Sequence, residues 1–146
     1  MNKKILIFGG TGAIGFSIAK KIIKEGYTPI LISRNEEELV NKSKEINCEY
    51  EICDVLEQDQ IDRISNKYAD TINGLAYCVG SINLKPLKIT KDTDFIESFK
   101  INTLGAVNVI KSNAESLAKN NGSILLFSTI AVQQGFTNHS IVSSSK

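Results

Sequence analysis

Histidine, proline and cysteine are scarce in this chain, and their scarcity excludes whole classes of function. Of 146 residues, 1 is His, 2 are Pro and 3 are Cys. With a single His and no closely spaced Cys pair, a four-ligand zinc site has almost nothing to be built from, so no metal is expected. No disulfide framework is needed either, because a domain of roughly 150 residues buries about 68 to 70% of the surface its unfolded chain exposes. Cys48, Cys53 and Cys78 sit in apolar, strand-like runs and read as buried, reduced thiols. An excess charge of one sign is also missing: 17 Lys and Arg oppose 16 Asp and Glu, for a net charge of +1. Such a chain has no field to steer it to nucleic acid or to an anionic membrane. No stretch approaches the ~18 apolar residues of a membrane span. Lys3 and Lys4 precede an apolar run from Ile5 to Phe8, but that run is short and enters glycines without a cleavage site, so it is no signal peptide. The expectation is one cytoplasmic globular domain over residues 1–146.

What is present is a regular alternation. Short β-branched apolar runs at Lys4 to Phe8, Thr28 to Ile32, Glu49 to Cys53, Gly74 to Val79 and Ser123 to Phe127 are separated by longer amphipathic stretches. This pattern predicts repeated βα units on a parallel sheet, an α/β fold. The near-continuous hydrophobicity of Ile5-Leu6-Ile7-Phe8 and Ile124-Leu125-Leu126-Phe127 suits strands covered on both faces. Helices are expected over Ala13 to Glu25, closed by Gly26, over Glu36 to Ile46, led in by Asn35, over Gln58 to Tyr68, and over one long stretch from Asp92 to Lys119. In the first of these, Ile14, Ile18, Ala19 and Ile22 form the stripe expected to pack on the sheet. Ser140 to Lys146 looks like the start of another helix, with no sixth strand after it, so the fold is expected to be truncated at its C-terminal end.

The strongest local signal is Ile7-Phe8-Gly9-Gly10-Thr11-Gly12-Ala13-Ile14-Gly15, placed between the first strand and the first helix. Glycine allows the tight turn, a backbone without side chains lets a pyrophosphate approach, and a final small residue lets helix and strand pack closely. The helix N-terminus adds free N–H groups and a positive dipole end. Gly9, Thr11, Gly12, Ile14 and Gly15 are therefore candidate cofactor contacts. At the end of the second strand, Leu31-Ile32-Ser33-Arg34-Asn35 has no acidic residue at 33 or 34 to hold ribose hydroxyls. Arg34, beside Ser33, can pair with a 2′-phosphate, which favours NADP(H) over NAD(H). The alternative is that Arg34 is a surface residue opposite Glu36 to Glu38.

These features resemble the short-chain dehydrogenase/reductase family along the whole chain, and the resemblance implies a Rossmann-type doubly wound parallel sheet with strand order 3-2-1-4-5. The family's TGxxxGxG pattern falls on Phe8, Gly9, Ala13 and Gly15, so its Thr and middle Gly are replaced, with slightly altered packing expected near Ala13. A GxxGxxG reading is intact through Gly9, Gly12 and Gly15. The resemblance implies that Asp54 and Val55 meet the adenine, and that Gly80, ending Tyr77-Cys78-Val79-Gly80, lines the cofactor. It implies that Asn102, in Ile101-Asn102-Thr103-Leu104-Gly105, stabilises a helix bend near the catalytic Lys. Asn is unhelpful in a helix interior.

The family's catalytic segment carries Ser, then Tyr thirteen residues later and Lys four beyond. Here those positions hold Thr129, Val142 and Lys146. Thr can replace Ser, but Val142 donates no proton. His139 lies three residues before the empty position and could act as the acid, although a lone His at a helix start is equally a capping or surface residue. Asn102, Thr129, Lys146 and His139 are the candidate catalytic residues, with Lys146 also on the cofactor. The resemblance implies an NAD(P)-dependent oxidoreductase acting on a small carbonyl or alcohol, in a homo-oligomer. A catalytically silent dinucleotide-binding protein and a non-redox enzyme on the same fold remain open, because fold alone does not choose among them.

Overall fold

The computed structural model describes residues 3–146. Five parallel strands lie in the order β3-β2-β1-β4-β5: β1 Lys4–Phe8, β2 Thr28–Ser33, β3 Glu49–Ile52, β4 Ile72–Tyr77 and β5 Ser123–Leu126. The helices are α1 Ala13–Lys24, α2 Glu36–Ile46, α3 Gln58–Tyr68, α4 Asp92–Phe99, α5 Gly105–Lys119 and α6 Ser140–Ser145. Alternation along β1 shows why both faces must be covered. Leu6 and Phe8 enter one apolar cluster with Ile61 and Ile64 of α3 and Val109 of α5, while Ile7 enters another with Phe16 and Ala19 of α1 and Leu39 of α2. All three β1 side chains are fully buried. No helix of the described residues is long and apolar enough to cross a membrane.

The sheet departs from the expected pattern at its ends. β5 is not covered on both faces: Ile124, Leu125, Leu126 and Phe127 are all exposed, at 37 to 52%. Among the described residues it pairs only with β4. β4 begins and ends two residues earlier than the apolar run suggests, so Cys78, Val79 and Gly80 leave the sheet. On α1, Ile14 is 55% exposed, and the inward positions go to Gly15, Phe16 and Ala19, flanked by the partly buried Ile18 and Ile22. Cys53 is buried and Cys48 and Cys78 half-buried; all three are free thiols, and burial pushes each up to about 11.

The long helix from Asp92 to Lys119 is continuous in direction but not in hydrogen bonding. Residues Lys100–Leu104 form a π turn in which the Gly105 N–H reaches back to the Lys100 carbonyl. A π turn inserts one residue and loosens the carbonyls around it. The Tyr77 hydroxyl, at the end of β4, donates to one of them, that of Ile101, at 2.6 Å. A Cβ on Gly105 would run into that hydroxyl, so the glycine that opens α5 is what lets the helix approach β4. Tyr77→Phe should therefore cost about 1 kcal/mol, the net worth of a typical hydrogen bond, as a lowered midpoint in urea unfolding. An unchanged midpoint would mean that the hydroxyl does not support the turn.

Candidate active site at the strand ends

Four glycines follow β1, and three of them have no room for a side chain. Gly9 has φ of +79°, and a Cβ there would lie 2.8 to 2.9 Å from the backbone of Cys78 and Val79. On Gly10 it would lie 3.0 Å from Leu31 Cα, and on Gly15 it would strike the Gly9 carbonyl. Gly12 differs: the nearest atom to its Cβ would be the Gly9 oxygen at 3.4 Å. Gly12 borders a cavity of about 300 Å³ and is the N-cap of α1, with no side-chain cap on the helix. The first-turn N–H groups are therefore free for an anion. The loop fits a pyrophosphate, since the cradle is one that a side chain at Gly12 would fill. Ala13 is exposed, so the altered packing expected there does not occur. Gly15 is buried beneath the loop and Ile14 stands exposed at the start of α1.

The same cavity extends over the ends of β2 and β3. Ser33, Arg34, Asp54 and Val55 line it together with Gly9, Thr11, Gly12 and Gly80, so most of the sequence-derived cofactor residues converge on one space. Thr11 Oγ1 donates to Ser33 Oγ at 3.1 Å. Arg34 does not face Glu36 to Glu38. Its Nη1 lies 3.6 Å from Asp54 Oδ2, while Asn35 caps α2 through Glu38 N–H and draws the following acids into the helix's first turn.

Lys146 and Asn102 meet beyond Gly80. A Cβ on Gly80 would lie 2.5 Å from Lys146 Nζ and 3.0 Å from Asn102 Oδ1. Asn102 sits in the π turn and its amide grips Ser81 on both sides, accepting from its N–H at 2.9 Å and donating to its carbonyl at 3.1 Å. Ser98 and Ser145, both buried, complete the cluster: the amide donates to each, at 3.0 and 2.9 Å, and their hydroxyls are 2.8 Å apart. Thr103 holds the Ser145 carbonyl at 2.8 Å. Desolvation lowers the Lys146 ammonium below the ordinary lysine range, with the Cys78 thiolate form pulling the other way. Lys146 and Asn102 also border a second cavity of about 350 Å³, between α5 and β5.

Sequence reasoning missed Ser98 and Ser145, although Ser98 lies one helical turn before Asn102 and so on the same face. Two candidate catalytic residues lie apart from this wall. Thr129 Oγ1 accepts from Ala131 N–H at 3.3 Å, capping the turn over Ile130–Val132. His139 is half-buried, its Nδ1 2.7 Å from the Thr137 carbonyl and its ring against Phe136. Neither borders a cavity with Lys146. His139 precedes α6 rather than sharing its face, and Val142 is buried. Among the described residues no three His, Cys, Asp or Glu side chains gather to hold a metal ion.

A family model described as short chain dehydrogenase matches residues 3–146. The chain belongs to this short-chain dehydrogenase family. Among curated relatives, carbonyl reductase family member 4 of Danio rerio is 24% identical over the whole chain, and 3-oxoacyl-[acyl-carrier-protein] reductase of Mus musculus is 27% identical. The chain spans 64% of the length of each. An actinorhodin polyketide ketoreductase with NADPH superimposes with a TM-score of 0.90 at 21% identity, over 99% of this chain and 59% of that one. A short chain dehydrogenase/reductase family protein gives 0.91, over 99% and 62%. The family binds nicotinamide dinucleotides, and the glycine contacts give a direct check. Gly12→Val should remove any response to NADPH or NADH in calorimetry while leaving the melting temperature near that of the wild type. Gly15→Val should lower stability by about 2 kcal/mol or more.

Proposed function

We propose that this chain is an oxidoreductase of the short-chain type that binds NADP(H) in preference to NAD(H) and acts on a small carbonyl or alcohol. One observation carries the reading: a cavity runs from the uncapped start of α1 past Arg34 and Asp54 to Gly80, and Lys146 and Asn102 lie next to Gly80 in the wall of the second cavity. A nicotinamide dinucleotide bound there supplies the hydride chemistry. The chain's own part is to hold and orient it. The α1 amides face the pyrophosphate, Arg34 pairs with the 2′-phosphate, and the Lys146 ammonium orients the far ribose. The Asn102 clasp keeps Ser81, and with it the cavity wall, at a fixed distance from Lys146.

Proton delivery is the weak link. A positioned acid contributes typically 10² to 10⁴-fold, or about 3 to 5 kcal/mol of barrier, and the buried Val142 offers none. That burial, with Thr129 engaged in capping its own turn, favours a second reading in which the chain binds the dinucleotide and turns over little. Two measurements separate the readings. Calorimetric titration should give tighter binding of NADPH than NADH, with Arg34→Ala removing the difference; equal wild-type affinities would refute the NADP(H) preference. NADPH oxidation with a panel of small ketones and aldehydes should be slow and unaffected by His139→Ala, since His139 stands away from Lys146. A fast reaction destroyed by that substitution would make His139 the acid.

A further inference from the structure

Arg34 and Asp54 are the only charged side chains among the described residues lining the cavity beside Gly12, and each is the other's partner. Their freedom to move is unequal. Asp54 is tied down: its Oδ1 accepts from Leu56 N–H at 3.0 Å and its own N–H donates to Gln60 Oε1 at 2.8 Å, leaving Oδ2 toward the cavity lip. Arg34 has its side chain 71% exposed, with no other hydrogen-bond partner among those found. An exposed pair at 3.6 Å is weakly held, so the guanidinium swings to an arriving anion and the carboxylate stays where it is.

Resting on the reading that this cavity holds a dinucleotide, we propose that Asp54 is a specificity-determining residue, a fixed negative charge that opposes a 2′-phosphate beside Arg34 and so limits the preference for NADPH over NADH. In the free protein the two charges cancel at the lip. A phosphate must draw Arg34 away and then lie near an uncompensated carboxylate, whereas a ribose hydroxyl does neither. The unphosphorylated nucleotide thereby remains a usable ligand in spite of the arginine.

The test is a pair of affinities for each protein, NADPH and NADH by calorimetry at low salt. Asp54→Asn keeps an acceptor for Leu56 N–H and removes only the charge. Its NADPH to NADH affinity ratio should rise about three- to tenfold, the factor expected for one unit charge removed from within a Debye length of a phosphate dianion in high dielectric. The rise should shrink at high ionic strength. Asp54→Ser, which has a hydroxyl but no charge, must move the ratio in the same direction. A ratio unchanged or lowered in both variants overturns the inference while leaving dinucleotide binding intact, and equal weakening of both nucleotides, the mark of a lost adenine contact, is such a result. A wild type that binds neither nucleotide overturns the functional reading and this inference together.

Discussion

Everything at this site hangs on the closeness of three backbone segments. The turn after β1 lies against the exit of β4 at Gly9 and against the first turn of α1 at Gly15, with gaps smaller than a methyl group. Parallel strands paired in register set the first approach, since Phe8 pairs with Ile32 on one side and Tyr77 on the other. The turn amides of Gly9 and Gly10 then both donate to the Ile32 carbonyl, extending the sheet's hydrogen bonding into the loop. With the loop fixed at both ends, Gly12 is left with open space above it. The cavity is therefore a product of what is packed tightly around it rather than of a gap in the packing.

A second constraint works at the opposite wall. An asparagine in the middle of a long helix is poor helix material, yet here it lies in the π turn where the helix ladder is broken. The break turns Asn102 toward Ser81, and Tyr77 satisfies the Ile101 carbonyl. Helix, strand exit and α6 are thus joined through side-chain amide and hydroxyl groups. A buried polar cluster of this kind is stabilising only when its members find partners, and Ser98, Ser145 and the Ser81 backbone supply them.

The fold was legible because its signals are periodic. β1, α2 and α3 fall within the limits that hydrophobic spacing, Asn35 and the flanking polar residues give them, and the strand order is the one that the family resemblance implies. The glycine loop was legible for a steric reason that any sequence shows. What escaped was set by tertiary position: whether Ile14 faces in or out at the first turn of α1, and that a π turn divides residues 92–119. The Arg34 and Asp54 pair is of the same sort. Twenty residues separate the two, and only the side-by-side ends of β2 and β3 bring them together.

On the reading proposed above, the phenol position holds the buried Val142, and the physical question is what the rest of the site does without that group. Desolvation lowers the Lys146 ammonium from its ordinary value, and Lys146 lies next to Gly80 in the wall of the second cavity. Its backbone is held three ways: Thr103 donates to the preceding carbonyl, Asn102 donates to the hydroxyl of the neighbouring Ser145, and Ser128 donates to its own carbonyl. Rigid placement of that kind serves nucleotide binding whether or not any proton is transferred. On that reading binding and turnover rest on separable parts of the site: a missing phenol takes away an acid and leaves in place the cavity that the glycines maintain.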